Sequence, residues 1–229
     1  MESLRYETAG KEIVLFPAEK ENSPLLVLNS FTDDADSLRG ELKKLSLREH
    51  NLLCISKLEW ENDLSPWEAP PAFAKEAPFG GGADAYLALL LDVILPGAEE
   101  RIKGKPAFTA LAGYSMAGLF ALYAAHETER FDRLASVSGS LWFPGFKDHV
   151  FSHPMKKKPD KVYLSLGDRE DRSGSALLRS VRENTEAIAA HYKEQGLNVT
   201  MELNPGNHFK DPGWRIAKGL ACLLADKDS

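Results

Sequence analysis

The sequence predicts an α/β fold, a mostly parallel sheet with helices on both faces and an antiparallel hairpin at its N-terminal edge. Three observations carry this. From residue 24 onward, short apolar runs alternate with helix-patterned segments, as βα units require. The 229 residues are 43% hydrophobic and 27% charged, enough for one sizeable core under an ordinary solvated surface. No repeat, low-complexity tract or linker divides the chain, so residues 1–229 are expected to form one domain.

Leu4–Thr8 and Glu12–Phe16, joined through Ala9-Gly10-Lys11, read as the hairpin. Leu25–Leu28 is a short apolar strand opened by Pro24, and Leu52–Ser56 is the next. Between them, Ser37–Leu47 carries Leu38, Leu42 and Leu45 at helical spacing. Asp33, Asp34 and Asp36 stand near its start, where the helix dipole favours acids. Lys57–Ala83, rich in Pro, Trp and Gly, has no clear period. Asp84–Leu95 reads as an apolar helix stopped by Pro96-Gly97, and Phe108–Ala112 as a strand. Leu119–Ala125 is helical, Leu134–Ser138 is a strand, and Gly139–Pro159 is a second irregular segment. Strand Val162–Leu166, helix Leu177–Gln195, strand Asn198–Leu203 and helix Ile216–Ala225 complete the chain.

A formal charge of −6 and a pI near 5.6 argue against nucleic acid or an anionic membrane as the main partner. Small or neutral molecules fit better, and association with further copies of the chain stays open. No run approaches 18 apolar residues, and Met1-Glu2-Ser3-Leu4-Arg5 has neither a basic nor an apolar leader segment. Cys54 and Cys222 both fall in apolar patterns and read as buried thiols of a reducing compartment, so a cytoplasmic protein is expected. Gly80-Gly81-Gly82 lacks the following Lys-Ser/Thr of a phosphate loop, and no cluster has metal-ligand spacing. Neither metal nor cofactor is expected.

Gly113-Tyr114-Ser115-Met116-Ala117-Gly118 lies between the strand Phe108–Ala112 and the helix Leu119–Ala125. A strand-to-helix turn that holds a serine in a strained conformation needs small residues two before and two after it, and Gly113 and Ala117 meet that demand. Alone the pattern is degenerate. A serine hydroxyl becomes a useful nucleophile only with a base to take its proton and an acid to orient that base. His208, in Asn204-Pro205-Gly206-Asn207-His208-Phe209, is the histidine in a loop after a late strand and is expected to be the base. Gly167-Asp168-Arg169-Glu170-Asp171 follows the preceding strand and offers three carboxylates. Glu170, three residues past the strand-ending glycine, is the first choice; Asp171 is the second and Asp168 the third. The oxyanion donors are expected to be the amide of Met116 and one from the loop past Leu25–Leu28, at Ser30 or Phe31. Trp60, Trp67, Trp142 and Phe143 lie in the two irregular segments, and Trp142 and Trp60 are expected to line the substrate pocket. Lys156–Lys158 reads as a solvated charge run.

Residues 112–123, Phe131 and Ser136-Val137-Ser138-Gly139-Ser140-Leu141-Trp142-Phe143 resemble the putative esterase family, which includes enterochelin (siderophore) esterases, S-formylglutathione hydrolase and mycolyltransferases. Phe79-Gly80, Leu95-Pro96, Leu166-Gly167-Asp168 and Gly206-Asn207-His208-Phe209 extend the resemblance over about residues 79 to 215. It implies an α/β-hydrolase fold, with Ser115 as nucleophile and His208 as base, acting on small or medium esters without a cofactor. Thioester or amide hydrolysis, acyl transfer, and a catalytically silent binding protein remain the alternatives.

Overall fold

The computed structural model describes residues 3–31, 35–72, 76–172 and 175–225. Asp33 and Asp34, read as helix-start acids, lie outside them. One sheet organises the chain: β1 (Leu4–Thr8), β2 (Lys11–Phe16), β3 (Leu25–Asn29), β4 (Asn51–Ser56), β5 (Thr109–Tyr114), β6 (Arg133–Val137), β7 (Lys161–Gly167) and β8 (Val199–Asn204). They lie side by side in the order β1-β2-β4-β3-β5-β6-β7-β8. The β1–β2 and β2–β4 pairs are antiparallel and all the others parallel, so the hairpin forms the edge as expected.

The middle strands read as unbroken apolar runs because both of their faces are covered. On one face Leu26, Leu28, Leu52, Cys54 and Ala112 pack with Leu38 of the helix Ala35–Lys43 and Leu220 and Leu223 of the helix Pro212–Leu224. On the other, Val27, Leu53 and Leu111 meet Leu90, Phe120 of the helix Met116–Glu127, and Ile188 of the helix Val181–Glu194. β3 has β4 on one side and β5 on the other, so the chain reverses its winding there and leaves a crevice at the carboxyl ends of β3 and β5. Register sets Asn29 beside Gly113 at that end, which places Ser30 and Phe31 next to the turn at Ser115.

Four expectations are corrected. The apolar helix does not stop at Pro96: Ala83–Leu89 runs through a π turn, Leu90–Ile94, into Leu95–Glu99. The amide of Leu95 reaches back five residues to the carbonyl of Leu90, and this wider turn relieves the clash that a proline ring makes with the carbonyl four residues earlier. The single helix Leu177–Gln195 is instead Ala176–Arg179 followed by Val181–Glu194. At the break the Ser180 hydroxyl donates to the carbonyl of Leu177 at 2.7 Å, competing with the helical ladder. The segment Gly139–Pro159 contains a helix, Phe146–Ser152, held by burial of Phe146 and Val150 one turn apart rather than by propensity. Lys57–Ala83 likewise holds a helical turn, Trp60–Asp63, and a two-stranded ribbon of Glu68–Ala69 with Phe79–Gly80.

His126 is buried on the helix Met116–Glu127, the elbow helix that follows the turn at Ser115, hydrogen-bonded through Nδ1 to the His153 carbonyl at 2.7 Å and through Nε2 to the Tyr192 hydroxyl at 3.0 Å. Burial first, then the neighbouring His149 and His153, lowers its pKa to about 4. The folded state therefore keeps this ring neutral, whereas the unfolded chain binds a proton near pH 6.5. The stability it contributes is fully present above that value and is lost as pH falls toward 4, about 3 kcal/mol in all. Wild type should lose more thermal stability between pH 7 and pH 4.5 than His126→Gln; equal losses would refute the assignment.

Candidate active site

Ser115 links β5 to the elbow helix with φ 59° and ψ −123°, a conformation costly for a residue with a side chain. The sheet and helix enforce it. A Cβ on Gly113 would sit 2.2 Å from the carbonyl carbon of Ala117, so neither position tolerates a larger residue. Ala in place of a final glycine is accommodated because Gly118, one step later, makes the close approach, to Gly139 and Ser136.

His208, in the loop after β8, brings Nε2 to 3.2 Å from Ser115 Oγ and Nδ1 to 2.8 Å from Glu170 Oε2. The Tyr114 hydroxyl donates to the His208 carbonyl, which ties the histidine loop to the residue before the nucleophile. Glu170 Oε1 accepts from the amide of Gly167 at 2.6 Å and from Arg215 Nη1 at 3.0 Å. Burial alone would raise the Glu170 carboxyl. The hydrogen bond and charge of His208, with donors from Gly167 and Ser138, outweigh burial and hold it below the ordinary carboxylate range. The structure thus brings Ser115, His208 and Glu170 into one hydrogen-bonded chain.

The other two acids are elsewhere. Asp171 faces Arg182 at 3.9 Å on a partly exposed surface, and Asp168 accepts the Gly206 amide at 2.8 Å, closing the turn before His208. Of the two amides expected past β3, that of Ser30 donates to the Ile55 carbonyl at 2.8 Å and is spent in the sheet. Phe31 stands next in the chain and lines the Ser115 cleft. Met116 is the first residue of the elbow helix, so its amide has no partner within the helix, and the residue lines the same cleft.

Ser115 opens on a cleft of about 540 Å³ whose walls include Trp60, Trp142, Phe79 and Val181. A second hollow of about 440 Å³, lined by Leu28, Leu38, Cys54 and Ile216, meets it at Ser115 and His208. Phe31 and Phe209, 74% and 84% exposed, border both. Trp142 and Trp60 thus line the cleft at Ser115, whereas Phe143 is buried and Trp67 donates to the Pro144 carbonyl at 2.9 Å in the packing beneath. Sequence reasoning missed Arg215. Its buried guanidinium serves Glu170, Ser138 Oγ, and the carbonyls of Pro205 and Asn207 on the histidine loop. The one available sign was an arginine just past that loop, at the start of a helix whose inner face is otherwise apolar.

A model of the family described as Putative esterase matches residues 42–217. The chain belongs to the putative esterase family. By that membership it is a carboxylic ester hydrolase. This esterase is 24% identical over 188 residues to a protein of Bacillus subtilis (strain 168) named "Uncharacterized protein YbbA", covering 79% of this chain and 75% of that one. Its fold is similar to an IroE-like serine hydrolase from Shewanella oneidensis, with TM-score 0.81, 19% identity, and coverage of 97% of this chain and 79% of that one. It is also similar to the siderophore hydrolase EstA from Aspergillus nidulans, with TM-score 0.73, 21% identity, and coverage of 98% and 95%. The α/β-hydrolase fold of the esterase is therefore shared across most of its length. Among the described residues, no helix is long and apolar enough to cross a membrane.

Proposed function

We propose that this esterase hydrolyses its ester through Ser115, His208 and Glu170, by way of an acyl-enzyme. The observation that carries the reading is the continuous chain from Ser115 Oγ through the His208 ring to Glu170 Oε2, with spacings of 3.2 and 2.8 Å. With Glu170 a carboxylate, His208 Nδ1–H donates to it, and Nε2 is left as the acceptor facing Ser115 Oγ–H. Ser115 attacks the acyl carbon, His208 takes its proton and passes it to the leaving alcohol, and water releases the acid by the same steps in reverse. The amides of Met116 and Phe31 hold the oxyanion, at a helix N-terminus whose dipole favours negative charge.

The substrate is a small or medium ester with an apolar arm. Exposed Phe31 and Phe209 beside the nucleophile, with Trp60 edge-on to Phe31 at 5.2 Å, offer ring surface that water solvates poorly. EstA is named a siderophore hydrolase, but here the basic run is engaged away from the cleft: Lys157 pairs with Asp132 and Lys158 donates to the Gln195 carbonyl. Arg169 and Arg172 line the cleft, and Glu61 and Glu76 on its wall offset them, which favours a neutral ester over an anionic one. Cys54 and Cys222 are free thiols, in keeping with a cytoplasmic protein. A fluorophosphonate probe should modify Ser115 in the folded protein, located by peptide mass spectrometry. A folded protein that stays unmodified, or is modified elsewhere, ends this reading.

A further inference from the structure

We propose that Ser140 is a positioning residue for the nucleophile, its hydroxyl donating to Ser115 Oγ while His208 accepts the Ser115 proton. The inference rests on Ser115 being the nucleophile. The two hydroxyl oxygens are 3.2 Å apart, and Ser140 is 1% exposed although it lies on the wall of the Ser115 cleft. Its amide also donates to the Ser115 carbonyl at 3.0 Å, so one residue braces both the backbone and the side chain of the elbow. A hydroxyl this deeply buried needs a partner, and among the described residues the one it has is the nucleophile oxygen.

Between two hydroxyls either can donate, but here the choice is forced. Ser115 has one proton, and transfer requires that it face His208 Nε2; the Ser115 oxygen then accepts from Ser140. During attack a lone pair of Ser115 Oγ forms the bond to the acyl carbon. The carbonyl π pair moves onto the oxygen facing Met116 and Phe31, and the Ser115 proton goes to Nε2. Ser140 keeps its own proton throughout. Negative charge gathers on Oγ as its proton leaves, and a hydrogen bond to an oxygen becoming anionic strengthens. Ser140 therefore acts on the steps in which the Oγ–C bond forms or breaks, and not on expulsion of the substrate alcohol, which His208 protonates.

That division supplies the test. With a p-nitrophenyl ester the leaving group departs readily and attack by Ser115 limits acylation; with the ethyl ester of the same acid, alcohol expulsion limits it. Ser140→Ala should lower kcat/KM about tenfold on the p-nitrophenyl ester and about threefold or less on the ethyl ester, the cost of one hydrogen bond felt in only one of the two limiting steps. Fluorophosphonate labelling of Ser115, which needs only the attack, should slow with the p-nitrophenyl rate. Ser140→Thr, which keeps the hydroxyl, should recover most of it. Equal losses on the two esters, or an unchanged p-nitrophenyl rate in Ser140→Ala, would overturn the proposal. The comparison within Ser140→Ala decides the matter even if Ser140→Thr does not fold. Absence of labelling in the unmodified protein would instead strike at the nucleophile assignment itself, so the two failures are distinguishable.

Discussion

Glu170→Gln is expected to lower kcat by about 10³- to 10⁴-fold while the protein stays folded. The size follows from a tautomer. Gly167 N–H and Arg215 Nη1 both donate to Oε1 of Glu170, so a glutamine in its place is forced to turn its amide oxygen toward them. Its NH₂ then faces His208 Nδ1, which must become the acceptor. The ring proton moves to Nε2, where it points at Ser115 Oγ and cannot accept the serine proton. KM should change little, because the carboxyl lies beneath the histidine. Asp171→Asn is the control: its carboxylate faces Arg182 at 3.9 Å, and the variant should stay within about twofold of wild type, as a surface ion pair of this kind contributes little. Steady-state kinetics on p-nitrophenyl acetate, with thermal melts to verify folding, measures both. A Glu170→Gln enzyme within tenfold of wild type, or one less impaired than Asp171→Asn, removes Glu170 from the proposed triad.

The elbow was legible in the sequence because its requirement is local. A strained serine between a strand and a helix demands small neighbours at fixed spacing, and the chain displays them as Gly113 and Ala117. The parallel sheet was legible for the same kind of reason, since strands buried on both faces read as apolar runs. Which carboxylate would meet His208 was not local. Asp168, Glu170 and Asp171 share one turn, and four distant partners sort them: the Gly206 amide engages the first, Arg215 and the histidine the second, and Arg182 the third. That the Ser30 amide is already engaged depended on β4, whose Ile55 carbonyl takes it. Pro96 misled because a proline signals a helix end wherever the local turn is an ordinary α turn, and here it is not. Arg215 was hidden most completely, because a buried guanidinium is defined by acceptors drawn from three separate stretches of chain.

Arg215→Met should cost about 3–5 kcal/mol of stability and most of the activity, because it leaves a buried charge without its partner. Methionine roughly preserves the bulk, so the loss is chiefly electrostatic. Arg215 is 1% exposed, with Nη1 on Glu170 Oε1 and Ser138 Oγ, and Nη2 on the carbonyls of Pro205 and Asn207 at 3.1 and 2.9 Å. It therefore fixes the acid and the loop carrying the base against each other. Even the strand end is shaped around it: a Cβ on Gly167 would lie 2.9 Å from Nη2 and 2.3 Å from the Gly206 carbonyl oxygen, which accounts for glycine there. The deficit should depend on pH with a definite sign. Glu170 has its carboxyl held below the ordinary value in the folded protein, so its ionised form contributes stability above the carboxylate range that is lost as pH falls through the folded pKa. Without the guanidinium that pKa should rise, and the gap between Arg215→Met and wild type should be full at neutral pH and narrow in acid, because Glu170 of the variant takes up its proton at a higher pH than Glu170 of the wild type. Arg215→Lys keeps the charge but presents a point donor to acceptors spread around a planar fork, and should fall between the two. Urea denaturation of the three proteins at pH 7 and pH 4 measures the effect, and a gap between Met variant and wild type that widens in acid would show that Arg215 does not stabilise the Glu170 carboxylate.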